Sequence, residues 1–149
     1  MARPDLSRVA PVLAGVWAGA LLAVALIGTP AGFALAPRDV AGRLAGFMLQ
    51  REAYLSIAMS AVLFVIVRGQ ARAAARAGQG SVMSTDVLLV LGALFCTVFG
   101  YFGVMSAMDA AREGRGPLSF AALHGVSVAC FGLKALLVLV LAWRLTARR

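Results

Sequence analysis

FAALHGVSVACFGLKALLVLVLAWR, residues 120–144, is long and apolar enough to cross a bilayer, and it holds the only histidine and the only lysine of the chain. A helix needs about 20 residues to cross the hydrocarbon core. Working outward from this stretch, three more runs meet that length. The expected spans are residues 9–33, 44–67, 87–108 and 120–143. The connections between them are short, and no soluble domain fits in any of them. The first run is followed by three others and lacks a clean small-x-small cleavage site, so it is expected to be a retained span. The expected fold is all-α: an integral membrane four-helix bundle, with residues 1–149 forming a single membrane domain.

Composition agrees. The chain of 149 residues is 62% hydrophobic and 13% charged, with a mean hydropathy of +0.91. Soluble domains are nearer half apolar and about a quarter charged. The net charge of +8 comes almost wholly from arginines placed just outside the apolar runs. They form no basic stripe with interleaved aromatics, so nucleic acid is not an expected partner.

The arginines also give an orientation. Arg3, Arg8, Arg68, Arg72, Arg76, Arg144, Arg148 and Arg149 fall on one side. Arg38, Arg43, Arg112 and Arg115 fall on the other. The positive-inside rule then places both termini in the cytoplasm. The arginine- and alanine-rich composition suggests a bacterial inner (plasma) membrane.

Local signals fit four helices. Ser84, Thr85 and Asp86 offer N-caps for the third span. Pro30 is expected to kink or end the first. Gly15 with Gly19, Gly28 with Gly32, and Gly125 with Ala129 are small-xxx-small pairs that let membrane helices approach closely. They are compatible with a homo-oligomer or a partner membrane subunit.

Charges inside spans are costly and so carry information. At 1.5 Å per residue, Glu52 lies about 6 Å and His124 about 10 Å to the outer side of the midplane, with Lys134 about 5 Å to the inner side. If spans 2 and 4 are neighbours, Arg51, Glu52, His124 and Ser127 form a polar cluster that could bind an ion or polar ligand or relay protons. The plainer reading is that Arg51 and Glu52 neutralise each other while His124 hydrogen-bonds across helices. Lys134 is turned about 80° from His124 and is expected to face the bundle or a partner subunit, or to snorkel. Met48, Met105 and Met108, at depths near His124, with Cys96 and Cys130 near the midplane, are weak candidates for a soft-metal site. Packing is their ordinary role.

No Walker loop, nucleophile elbow, HExxH or carboxylate pair is present, so no enzyme activity and no cofactor is expected. One histidine is a poor basis for haem held between spans.

Two regions resemble a known family. LAPRDVAGRLAGFMLQREAYLSI, residues 35–57, and FAALHGVSVACFGLKALL, residues 120–137, are similar to the signature regions of the transmembrane protein 205-like family, also filed as a domain of unknown function, number 4149. Pro37, Gly42, Phe47 and Tyr54 carry the first region. His124, Gly125 and Ser127 stand as its His-Gly-x-Ser motif, and MSAMDAAREG resembles its polar exit from the third span. Lys134 matches no position of the pattern. The resemblance implies a compact four-helix membrane protein and brings no reaction, substrate or cofactor. A distant similarity to bacterial copper-export membrane proteins supports transport by analogy alone.

Three functional readings follow, in order: a structural or accessory membrane component with a buried polar cluster, a small transporter or resistance factor for a metal ion or polar solute, and a membrane haem protein.

Overall fold

The computed structural model describes residues 6–147. Four helices are each long and apolar enough to cross a membrane: α1 (Arg8–Leu35), α2 (Arg38–Arg76), α3 (Thr85–Arg112) and α4 (Phe120–Ala147). There is no strand among the described residues. The chain is a multi-pass membrane protein, and its outer surface needs lipid as solvent. Leu26, Val65, Phe95 and Trp143 are all more than 60% exposed.

The helix ends follow from local chemistry. Ser84 caps α3, its Oγ accepting from the Val87 N–H at 3.4 Å. Ser119 does the same for α4, accepting from Ala122 N–H at 3.2 Å. At the other ends, Gly78 and Gly114 take positive φ, 72° and 70°. Around each, an N–H five residues on closes the helix: Gln79 to the Ala74 carbonyl at 2.9 Å and Arg115 to Ala110 at 2.8 Å. Only a residue without Cβ adopts this left-handed cap without strain.

Two expectations of helix length and shape change. Helix α2 has 39 residues, about 58 Å, nearly twice the hydrocarbon thickness. The expected connection after Val67 is helical as far as Arg76, because alanine, arginine and glutamine are strong helix formers and nothing stops the helix before Gly78. The first connection shrinks to Ala36 and Pro37, since α2 starts at Arg38. Pro30 does not end α1. A π-turn over Val24–Gly28 precedes it, with the Thr29 N–H bonding back to the Val24 carbonyl, and the helix runs on to Leu35.

The helices form a ring in which α1 packs on α2, α2 on α3, α3 on α4 and α4 on α1, so α2 and α4 face each other across the diagonal. The two halves of this ring differ. At the end where α1 begins, α4 ends and the 77–84 connection lies, Ala10, Ala14, Trp17, Leu21, Leu63, Val67, Val87, Val90, Val138 and Leu141 build a buried apolar core. Trp17, Leu21, Leu63 and Leu141 are fully buried there. At the far end, the Thr29–Leu35 part of α1 packs on α2, and the Val104–Arg112 part of α3 packs on α4. Substantial packing between these two hairpins is confined to the other half. They therefore diverge towards the far end and leave a cleft between them.

Within each hairpin, glycines set the approach. A Cβ on Gly28 would meet Met48 Sδ at 3.0 Å, and one on Gly32 would meet Leu44 at 3.5 Å. A Cβ on Gly100 would sit 2.3 Å from Cys130 Cβ. No such contact exists at Gly15, Gly19 or Gly125.

Candidate functional site: a cleft closed by a buried ion pair

The cleft has a volume of about 560 Å³. One wall, from α1 and α2, is mostly apolar and low on α2: Val24, Ala25, Thr29 and Phe33 from α1, and Gly42, Ala45, Gly46 and Leu49 from α2. The other, from α3 and α4, is chemically richer: Cys96, Gly100, Tyr101, Met105, Met108, Arg112, Phe120, His124, Ser127 and Phe131. Each hairpin carries a π-helical segment at this level. The π-turn of α1 contributes Val24 and Ala25. A second π-segment, Val98–Gly103 in α3, contributes Gly100 and Tyr101. It follows Thr97, whose Oγ donates to the Ala93 carbonyl at 2.9 Å, a back-bond that loosens the helical turn. Such π-turns aim side chains that a regular helix would place elsewhere, and they recur at functional sites.

Glu52 and Lys134 close the inner end of the cleft. Lys134 Nζ donates to Glu52 Oε2 at 2.7 Å, and both side chains are more than 95% buried. Glu52 Oε1 accepts from the Ser56 hydroxyl. Ser56 Oγ in turn accepts from Trp17 Nε1 at 2.9 Å. The lysine ammonium also lies 4.9 Å from the Phe131 ring centroid. One chain of hydrogen bonds thus runs from α1 through α2 to α4, at the boundary between apolar core and cleft. An isolated charge at this depth would be costly, and a hydrogen-bonded pair offsets much of that cost.

Near the mouth, Arg112, Phe120 and His124 form a stack. The guanidinium lies 4.9 Å from the Phe120 ring centroid. The Phe120 and His124 rings are 5.8 Å apart and nearly parallel. Arg112 also pairs with Asp109 at 3.2 Å in an exposed contact, and such surface pairs add little stability.

The expected cluster is placed as follows. Glu52, His124 and Ser127 all line the cleft. Arg51 does not; it is exposed and lies over the Phe47 ring at 4.9 Å. The mutual neutralisation of Arg51 and Glu52 is replaced by a Glu52–Lys134 pair. The reason is geometric: successive helix residues point about 100° apart and cannot face each other, so Glu52 turns inward while Arg51 turns out. Lys134 does not snorkel. Its four-carbon stem bridges the depth offset and the diagonal, so α2 and α4 need not be neighbours. Met105 and Met108 line the same cleft as His124, and so does the buried Cys96. Among the described residues, no three His, Cys, Asp or Glu side chains converge as a metal site would require. Trp17 joins the polar layer through its indole N–H, and nothing in its apolar sequence context signals that role. An opposite-sign pair, Glu52 and the chain's one lysine, was the available signal for the pairing.

A second cavity, about 540 Å³, lies at the other end between the projecting turn of α2 and the 77–84 connection. Arg144 Nε donates to Asp86 Oδ1 there at 2.8 Å, tying α4 to the start of α3.

These features define a multi-pass helical membrane protein with a cleft between two hairpins. The family profile described as "Domain of unknown function (DUF4149)" matches residues 12–117. That is more than half of the chain, and the chain belongs to this family. His124 and Ser127 lie beyond the matched residues, whereas Glu52 and Trp17 lie within them. No curated protein and no solved structure matches the chain.

Proposed function

We propose that this chain is an accessory component of the bacterial inner membrane, with both termini cytoplasmic, and that it holds a small amphiphilic molecule in the cleft between its hairpins. The observation that carries the reading is the position of the Glu52–Lys134 pair: it lies at the inner end of a cleft and directly on top of an apolar core. A pair needed only to hold helices together has no need of a cleft beside it. Pockets of about 300–1,000 Å³ with apolar walls and a few convergent polar groups are the usual form of small-molecule sites.

The arginine bias supports the orientation. Under it the cleft faces the outer leaflet, and Trp17, Leu21, Leu63 and Leu141 block the inner half. That blockage favours binding over passage. Transport of a metal ion or polar solute stands second, and it would require a second conformation or association with another copy or a partner subunit. The faces around Gly15, Gly19 and Gly125, unused within the chain, are where such association would form. Kinship to the transmembrane protein 205-like members of the family rests on Pro37, Gly42, Phe47 and Tyr54 with His124, Gly125 and Ser127.

The test is native mass spectrometry of the protein released from lipid nanodiscs. Gly46 lines the cleft, and a Cβ there meets nothing within 4 Å, so Gly46→Leu fills the cleft at little cost in fold. Wild type is expected to carry a bound small molecule that Gly46→Leu lacks. Identical spectra for the two proteins would contradict the reading.

A further inference from the structure

The inner end of the cleft has a specific chemistry. Both oxygens of Glu52 are engaged, Oε1 by Ser56 and Oε2 by Lys134. The lysine ammonium has three donors and gives one of them to an oxygen. It makes no second hydrogen bond among the described residues, although a buried donor ordinarily finds a partner. Lys134 lines the cleft.

Charge narrows what can reach it. Glu52 and Lys134 already sum to zero. An anion or cation driven to this depth would leave one buried charge uncompensated, which is the costly case. An uncharged group with an acceptor oxygen carries no such cost and takes up the spare N–H. Shape narrows it further. Tyr101 and Phe131 form the wall on one side, and Ala45 and Gly46 form a low wall opposite. Aromatic side chains facing a low wall suit a flat head group. The cleft then runs past Met105 towards its mouth and offers apolar contact to a tail.

We infer that the cleft recognises an uncharged amphiphile with a planar, carbonyl-bearing head of the quinone type, its carbonyl oxygen hydrogen-bonded to Lys134 Nζ beside the Glu52 carboxylate. This inference rests on the reading of the cleft as a binding site and names the ligand class.

Three probes separate the alternatives, each added to the full chain in nanodiscs: a decyl methyl naphthoquinone, the matching decyl methyl naphthalene without carbonyls, and a ring-decylated naphthoate with a free carboxylate, which is an anion. Binding is read as the rise in melting midpoint, which grows with the logarithm of probe concentration above the dissociation constant. Contact is read from the nitrogen NMR signal of isotope-labelled lysine, which is Lys134 alone. The naphthoquinone is expected to give the same rise in midpoint at a concentration about tenfold or more below that of the naphthalene, the increment of a hydrogen bond to a charged group, and to move the Lys134 signal. The double variant Glu52→Gln/Lys134→Met, which keeps the volume without the charges, is expected to lose that preference. Gly46→Leu is expected to lose binding of both probes.

Equal binding of naphthoquinone and naphthalene, an unmoved lysine signal, or an unchanged preference in the double variant overturns the inference and leaves the cleft as a site for apolar guests. Tightest binding by the naphthoate overturns it in favour of an anion. Failure of every probe to raise the wild-type midpoint, or an equal rise in Gly46→Leu, removes the binding reading itself.

Discussion

Lys134 Nζ lies 2.7 Å from Glu52 Oε2, 82 positions apart in sequence and across the diagonal of the bundle. The contact joins the two hairpins where their packing ends. It carries several consequences that solution experiments reach.

Removing one partner of the pair strands the other. Lys134→Met is expected to lower stability by about 3–5 kcal/mol, and the Glu52→Gln/Lys134→Met double variant to lie within about 1 kcal/mol of wild type or above it. Denaturant titration in mixed micelles measures both. Equal losses in the single and double variants would mean that the charges are not paired.

The polar layer extends to α1. Ser56→Ala leaves the indole N–H of Trp17 without its acceptor and takes a donor from Glu52. It is expected to cost about 1–3 kcal/mol, more than Trp17 loses through hydrogen bonding alone, because an unsatisfied buried group is the dearer outcome. The same titration, with emission from Trp17 in a Trp143→Phe background, should show a shifted spectrum as well.

Gly100 sets how closely α3 meets α4. Gly100→Ala places a Cβ 2.3 Å from that of Cys130 and is expected to destabilise by about 1–3 kcal/mol. Gly125→Ala meets open space and is expected to stay within about 0.5 kcal/mol. A Cys130→Gly change should recover part of the Gly100→Ala loss, since the two Cβ atoms are the clash.

Orientation has a direct check. In a background of Cys96→Ala and Cys130→Ala, an impermeant maleimide applied to intact bacteria is expected to label Leu118→Cys and to spare Gln79→Cys. The reverse pattern would invert the assignment of cytoplasmic termini.

Most of the fold is legible in the sequence because hydropathy in membranes is decided by a single large term. Backbone groups must be satisfied within each segment, so four apolar runs become four helices. The ends of α2 were less legible. Residues 68–76 read as a connection by polarity, yet polarity does not stop a helix built of alanine and arginine, and the stop is Gly78. The site was legible as a set of residue types. Glu52, His124 and Ser127 are read as a group by depth, and the structure lines one cleft with them. Their partners were not legible, because pairing depends on helix rotation. A one-residue step from Glu52 to Arg51 reverses which side chain faces inward. The π-turns at Val24–Gly28 and Val98–Gly103 have no sequence signature beyond nearby Pro30 and the glycines at 100 and 103. They nevertheless decide which side chains reach the cleft.

The chain's single lysine makes the central contact directly measurable. With nitrogen-labelled lysine and carboxyl-carbon-labelled glutamate, the only labelled carboxylates are Glu52 and Glu113, and Glu113 lies at an exposed helix end paired with Arg115. Solid-state NMR in lipid bilayers is expected to show strong dipolar dephasing between Lys134 Nζ and a glutamate carboxyl carbon, as a 2.7 Å nitrogen–oxygen contact requires, and to lose it in Glu52→Gln. Absence of that dephasing in wild type would place Lys134 away from Glu52 and contradict the closed inner end on which the cleft's function rests.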